Sequence, residues 1–517
     1  MKKFRLSAML AAGAMLLVAA CGGGAPDSDT KGDSEAEFDP NGSLVYAGQW
    51  AIDTWDPPRT LVSQFNEPLF LAYDRLVHVD TEGQPIPGLA TSWEFSDNNK
   101  TLTFHLREGV KFTDGEVFDA EAVKANIERA RDLPDSQVGS GLASVKEVIV
   151  DSPTQVTFKM DEPSPQLPLV LSERTSAMAS PAAFANDGEA LKMDSYGTGM
   201  YKVEEFIPGD RVVYVRNDDH WDKGAAKLAR FEFRSMSDTQ TRLNALRSGE
   251  VDWAVLDPRD YQTIKNDSNF DVEVVKSLVF RPVTFNISGP ALTDERVRQA
   301  LNYGLDREAI SKVLTAGLAE PCAQPFPPGY PAHNEEVGCD PYPYDPDKAR
   351  SLLEEAGWAD GKFRPEILAL PSFSTDIAEV LQAQWKNIGV EATIRVDAAA
   401  AELWNSGRAG DMLPGVWGGR NSPFETLFSQ FHSTGPFNEA QYEDPEVDAA
   451  YAAALNAPDE ESQNQALRDM VKMVTDKALN ISLYFDPVVS AWDKKVLGAE
   501  TYLTKQEFRG VGVAASR

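Results

Sequence analysis

Cysteine is almost missing from this chain: three in 517 residues, at positions 21, 322 and 339. Histidine is nearly as sparse, with five (His78, His105, His220, His333 and His432) far apart in sequence and none inside an HExxH pair. These shortages exclude a cysteine-dense disulfide scaffold and a contiguous zinc-hydrolase helix. There is no GxSxG elbow, no P-loop and no GxGxxG after a strand, so the local devices for acyl transfer, nucleotide hydrolysis and dinucleotide binding are absent too. Positive charge is short, with 49 Lys and Arg against 80 Asp and Glu and a formal net charge of −31. Such a surface argues against nucleic acid or anionic lipid as a partner. Acidic doublets such as Asp218-Asp219 and Glu354-Glu355 read as solvated faces. No catalytic constellation emerges, and no cofactor or metal is called for.

Long apolar runs are confined to the start. Lys2, Lys3 and Arg5 precede an apolar stretch from Leu6 to Ala20, and small residues lead directly into Cys21. About fifteen residues broken by Ser7 and Gly13 are too short to span a bilayer comfortably. The pattern is that of an export signal, residues 1–20, with Cys21 as a lipidated first residue of the mature chain. Residues 21–41, rich in Gly, Asp, Ser and Glu, form a flexible tether. Loss of the three basic residues moves the net charge from −31 to −34. An exported chain folds in an oxidising compartment, so Cys322 and Cys339 pair in a disulfide. Zinc is the alternative, but it lacks its remaining ligands.

The composition, 42% hydrophobic and 25% charged, is that of a globular protein of about three domains. The stretch Gly88 to Arg131 is the most informative. Thr101 to Arg107 alternates, with Leu102, Phe104 and Leu106 on one face, as a half-buried strand does. Asp114-Gly115 supplies a turn, and Asp119 caps a helix carrying Val123, Ile127 and Ala130 at helical spacing. Asp294, Asp306 and Asp345-Pro346 open further helices. Residues 363–370, 375–388 and 390–396 read as strand, helix and strand, a βαβ unit of a parallel sheet. Helical patterns return at 446–456 and 460–478, before a last strand at 481–485.

This order of segments resembles the peptide/nickel family of bacterial solute-binding proteins, the dipeptide- and oligopeptide-binding group that serves ABC importers. Gly197-Thr198-Gly199-Met200-Tyr201 resembles the family's GTGPY turn, with Met200 where proline is usual. The resemblance covers about 44–515. It implies an α/β, two-lobe, Venus-flytrap fold with an extra subdomain on the first lobe. Lobe I would comprise 42–72, 186–281 and 480–517, with the inserted subdomain at 73–185 and lobe II at 282–479. It also implies a monomer lipid-anchored outside the cytoplasmic membrane, binding a solute between its lobes and passing it to permease subunits.

The segment Val416 to Pro423, VWGGRNSP, resembles the family's cleft segment in lobe II, in which a tryptophan lines the pocket and an aspartate meets the peptide amino terminus. Trp417 matches the tryptophan, whereas Arg420 stands at the aspartate position and reverses the charge. An arginine fork suits carboxylate or phosphate. Arg420 is therefore either an anion contact, favouring an anionic or γ-linked peptide, or one half of a structural ion pair. Trp417 is either a pocket wall or core. Asn421 follows in the same segment. Phe437 and Asn438 resemble the next cleft segment, with Asn438 alternatively capping a turn. Arg281 lies by resemblance near the lobe crossover, as anion contact or salt bridge, and Tyr46 and Trp55 are aromatic candidates on lobe I. His432 alone cannot hold a metal, which leaves nickel-chelate or oligosaccharide binding, or a surface sensor, as lesser alternatives.

Overall fold

The structure, a computed structural model, describes residues 37–515 apart from 61–65, 360, 372, 406–408 and 439–441. The export signal, Cys21 and most of the tether lie outside the described residues.

Two unusually long strands organise the chain. Phe270–Phe285 (16 residues) and Asn480–Asp493 (14 residues) are rich in Val and Phe, which suit a pleated surface. They pair antiparallel from Phe270↔Asp493 to Thr284↔Asn480, with register shifts between Lys276 and Phe280 and between Phe280 and Pro282. Pro282 and Pro487 sit in this irregular middle, where they withhold ladder donors. At one end the pair continues through Trp253–Leu256 into the parallel strands Ser43–Gly48 and Arg230–Ser235, then the antiparallel strands Arg211–Arg216 and Tyr201–Ile207. At the other end it continues through Met412–Pro414 and Glu366–Ala369 to Thr393–Val396. Among the described residues this makes one eleven-stranded sheet, counting the short strand Glu320–Pro321. Each end is packed with its own core, so the pair runs through two lobes.

The first lobe's core gathers Tyr46, Trp55, Leu69, Tyr201, Tyr214, Phe231 and Trp253. The second lobe's core gathers Leu301, Leu353, Ile367, Trp385, Leu467 and Ile481. A third core lies beneath a separate four-stranded sheet, in the order Ala90–Ser96, Thr101–Leu106, Gln155–Met160 and Val145–Ser152. There Leu102, Phe104 and Leu106 point inward, as the alternation requires. Asp119 accepts the Ala122 amide at 3.0 Å to cap the helix Ala120–Asp132, which buries Val123, Ile127 and Ala130. Gly115 turns at φ +95°, a conformation costly to other residues.

In the second lobe Asp294, Asp306 and Asp345 each cap a helix through their side chains. The βαβ unit is Glu366–Ala369, Thr375–Lys386 and Thr393–Val396, with parallel strands. Its first strand is shorter than the sequence pattern because Pro365 and Pro371 flank it and cannot donate to a ladder. Cys322 and Cys339 are joined in a disulfide that packs against Phe280, Trp417 and Phe485 at the irregular middle of the long strands. No helix among the described residues is long and apolar enough to cross a membrane.

The GTGMY turn closes tightly on the chain before the inserted sheet, with the Gly199 amide donating to the Ala72 carbonyl at 3.0 Å. A Cβ on Gly199 would fall on the Ala72 carbonyl carbon and the Tyr73 nitrogen, both backbone atoms that cannot swing aside. Gly199→Ala should therefore cost about 1–3 kcal/mol, read as a lowered urea midpoint at unchanged slope.

Candidate functional site

The segment after Met412–Pro414 is drawn onto the irregular middle of the long strands. Trp417 and Phe280 exchange backbone hydrogen bonds at 2.9 and 3.2 Å. Gly419 then adopts φ +66° with its α-carbon close to Leu278, where any side chain would press on backbone. The C-terminal segment reaches the same place, as the Leu278 amide donates to the Leu503 carbonyl and Lys505 Nζ to the Gly418 carbonyl at 2.9 Å. Hinge, second lobe and C-terminal segment thus meet at Gly418–Gly419.

Asn421, itself buried, joins these pieces to the inserted subdomain. Its Nδ2 donates to Ser172 Oγ at 3.1 Å and Glu173 Oε1 at 3.2 Å, and its Oδ1 accepts from Thr504 Oγ1 at 2.9 Å. Its carbonyl accepts from the Tyr330 hydroxyl at 2.8 Å. Arg174, next to Glu173, is 7% exposed, and Lys505 is likewise 7% exposed. Neither has a carboxylate within ion-pair distance among the described residues. Arg174 makes only a 3.5 Å contact with Asn66 Oδ1, and its Nε has no acceptor. Burial pulls Arg174 down to about 10 and Lys505 down to about 8. Glu173 opposes both shifts, while Arg420 reinforces both, so the three cations share one field.

Beneath them Glu67 is enclosed, with burial pushing its carboxyl up to about 7 against the opposing pull of the Gln506 amide, Lys505 and Tyr46. Tyr46 donates to it at 3.2 Å, and burial followed by the Glu67 charge pushes the phenol upward. Two buried cations and a carboxyl titrating near neutrality are costly groups to enclose.

The sequence candidates distribute around this locus. Trp417 is buried, donates to Thr426 Oγ1 at 3.1 Å and meets the Phe437 ring edge-on at 5.3 Å. Arg420 lies 4.7 Å over the Trp417 ring and donates from Nε to Glu425 at 2.6 Å. Of its two readings the ion pair is present, and the guanidinium still contributes charge to the cluster. Phe437 is 44% exposed. Asn438 Nδ2 donates to the carbonyls of His432 and Tyr442, a turn-capping arrangement. Arg281 bridges the long strands, its Nε and a terminal nitrogen reaching Asp486 at 2.9 Å. Burial disfavours its charge, but Asp486 more than compensates and the net shift is upward. Trp55 packs in the first lobe's core against Phe206 and Tyr214. His432 stacks among Phe428 and Tyr451 and reaches Asp448 at 3.6 Å. The ligand atoms of Cys322, His333 and Cys339 lie within 4.8 Å of one another, but the disulfide ties up the sulfurs.

Sequence reasoning missed Glu67, Glu173, Arg174 and Lys505. The available signal was the charged pair Glu173-Arg174 directly after the apolar run LPLVLS, where a soluble loop would not bury a guanidinium.

Two lobes on a shared strand pair, meeting around a buried polar cluster, define the class of two-lobe binding proteins. The chain belongs to the bacterial extracellular solute-binding proteins, family 5, whose middle-region model matches residues 84–439. The glutathione-binding protein GsiB of Salmonella paratyphi A is 31% identical over 442 residues, 82% of this chain and 85% of that one. Among solved structures, the periplasmic binding protein DppA of Helicobacter pylori with the peptide STSA superposes with a TM-score of 0.81 at 23% identity, covering 92% of this chain and 99% of that one. NikA of Brucella suis with Fe(III)-EDTA superposes at 0.80 with 25% identity, covering 91% and 99%.

The raised Glu67 pKa makes stability depend on pH. A carboxyl that titrates at about 7 when folded and near its ordinary 4.5 when unfolded stabilises the fold fully below pH 4.5. That contribution is lost as pH rises through 7. Glu67→Gln should therefore gain in Tm relative to wild type between pH 5 and 8, and a constant Tm difference across that range would sink the assignment.

Proposed function

We propose that this protein is the lipid-anchored receptor of an ABC importer, and that its solute is a peptide-like molecule carrying at least one carboxylate. One observation supports the anionic preference above all. Arg174 and Lys505 are buried cations with no carboxylate partner among the described residues. A solute carboxylate between them would supply charge-assisted hydrogen bonds to groups otherwise enclosed at a cost. Glu173 beside them offers an acceptor for an ammonium, so a molecule bearing both charges fits the locus. GsiB, the relative described above, is named for a tripeptide of this kind, with two carboxylates and one ammonium.

Binding proceeds by closure about the long strands. The contacts of Asn421 with Ser172, Glu173 and Thr504, and of Lys505 with Gly418, span the lobes. They form only when the lobes come together, and a solute touching both sides adds to them. The permease then takes up the closed form.

Calorimetry with glutathione, γ-glutamyl dipeptides, ordinary dipeptides and their carboxamide derivatives tests this reading. Binding should require the free carboxylate, and Arg174→Ala should weaken it by about 2–5 kcal/mol. Equal affinity for acid and amide forms would refute the anionic preference. A second readout follows from Lys505, which titrates at about 8. An arriving carboxylate favours the ammonium, so binding at pH 8 should take up as much as about half a proton, and almost none at pH 6. Affinity should correspondingly fall as pH rises through 8. For the anchor, Cys21→Ala should release the protein from the membrane fraction into the soluble one.

A further inference from the structure

A cavity of about 560 Å³ lies between the inserted subdomain and the second lobe, with Asn421 in its wall and neither Arg174 nor Lys505 lining it. We propose that it is a second binding compartment, built for a neutral, hydroxyl-rich group such as a glycosyl unit.

The wall chemistry is the first argument. Trp93 and Phe95, at alternate positions of the edge strand Ala90–Ser96, face it from the subdomain, and Tyr330 and Phe424 face it from the second lobe. Flat rings on opposing walls suit the apolar faces of a sugar ring. Between them, besides Asn421 whose carboxamide is already bonded, stand five side-chain carboxamides: Gln84, Asn99, Gln166, Gln463 and Asn464. Each offers donors and an acceptor together, as hydroxyl groups demand of their partners. Gln166 Oε1 is buried with no donor, an acceptor left for a ligand hydroxyl.

What the wall omits narrows the ligand further. Neither Lys nor Arg lines the cavity, so it has nothing to pair with a carboxylate or phosphate. Its two acids, Asp459 and Glu460, stand exposed at the start of the helix Glu460–Asp476. Six of the lining residues are prolines, which carry no amide hydrogen. An extended peptide held by backbone pairing would find few donors there, whereas a sugar bound through side-chain amides would not need them.

The position is the second argument. The two walls belong to different bodies, and Asn421, which lines the cavity, joins them through its side chain to Ser172 and Glu173. The cavity therefore takes its shape only when the lobes are together. Its occupant would share in closure without touching the charged cluster, so this inference and the anionic reading above can fail separately.

The test is calorimetry on the full-length protein in a detergent without a sugar head group. The probes are cellobiose, maltose and N,N′-diacetylchitobiose, set against tetra-alanine blocked at both ends. At least one disaccharide should bind with a Kd of about 1 mM or tighter. Gln166→Ala and Gln463→Ala should each weaken it at least ~10-fold. Arg174→Ala should leave it within about twofold, because Arg174 does not line the cavity. Circular dichroism checks that the variants fold, and Gln463, on a partly exposed helix face, gives a variant that leaves the core intact. Binding of the blocked peptide but no sugar would overturn the proposal in favour of a peptide compartment. Sugar binding lost with Arg174→Ala but indifferent to Gln166 and Gln463 would move the sugar to the charged cleft and overturn it too, as would the absence of binding by any probe.

Discussion

Antiparallel pairing of Phe270–Phe285 with Asn480–Asp493 is the constraint on which the rest of the molecule hangs. Because these two strands pass through both lobes, the sheet is continuous where the lobes' cores are separate. A strand pair can bend where its ladder is incomplete, and here the register shifts twice between Lys276 and Pro282. The same irregular stretch receives Trp417, Gly419 and Leu503 through backbone contacts. The candidate site segment is thus seated on the irregular stretch itself. Arg281 and Asp486 hold the two strands together across it, so that bending need not mean separation.

The charged locus is best understood as a set of groups that fold at a cost. Arg174, Lys505 and Glu67 all have their ionisation opposed by burial. A core optimised for stability alone would replace such groups by apolar side chains. Their enclosure by neutral contacts from Asn66, Gly418 and Tyr46 instead leaves charge to be met by a partner. Arg420 illustrates why a charge reversal in sequence is only half an argument. Its guanidinium is already paired with Glu425 and laid over Trp417. It shapes the field around Arg174 and Lys505 whether or not it touches a ligand itself.

Much of the fold was legible because local rules agreed with one another. Alternation from Thr101, the caps at Asp119, Asp294, Asp306 and Asp345, and the βαβ pattern near residue 370 each depend on neighbours a few positions away. The site was legible only in part. VWGGRNSP announced itself through its glycines and through a motif. Lys505 did not, since a lysine in an irregular C-terminal segment reads as solvated until tertiary structure shows it enclosed against Gly418. Glu67 and Glu173 were hidden for the same reason: burial of a charge is decided by segments more than a hundred residues away. Tyr46 and Trp55, chosen as aromatic cleft candidates, pack in the first lobe's core, and Tyr46 reaches the locus only through its hydroxyl.

The contacts that span the lobes explain how modest binding energy can become a conformational signal. Shifting a two-state equilibrium from 1:99 to 99:1 takes about 5.5 kcal/mol of differential affinity. The arrangement in the structure supplies hydrogen bonds from Asn421 and Lys505 across the divide. Those bonds lower the amount a solute must add, but they replace bonds to water and so contribute little net on their own. In the proposed function, a carboxylate between Arg174 and Lys505 is different in kind. It relieves two desolvated charges of the first lobe and its subdomain, Arg174 in the segment following the inserted sheet and Lys505 in the C-terminal segment, which the second lobe covers through Gly418 and Asn421. When the lobes part, water returns to both cations and the advantage of the carboxylate falls. In the proposed function the preference for closure therefore arises from the cover the second lobe gives these charges, and the strand pair need only permit it.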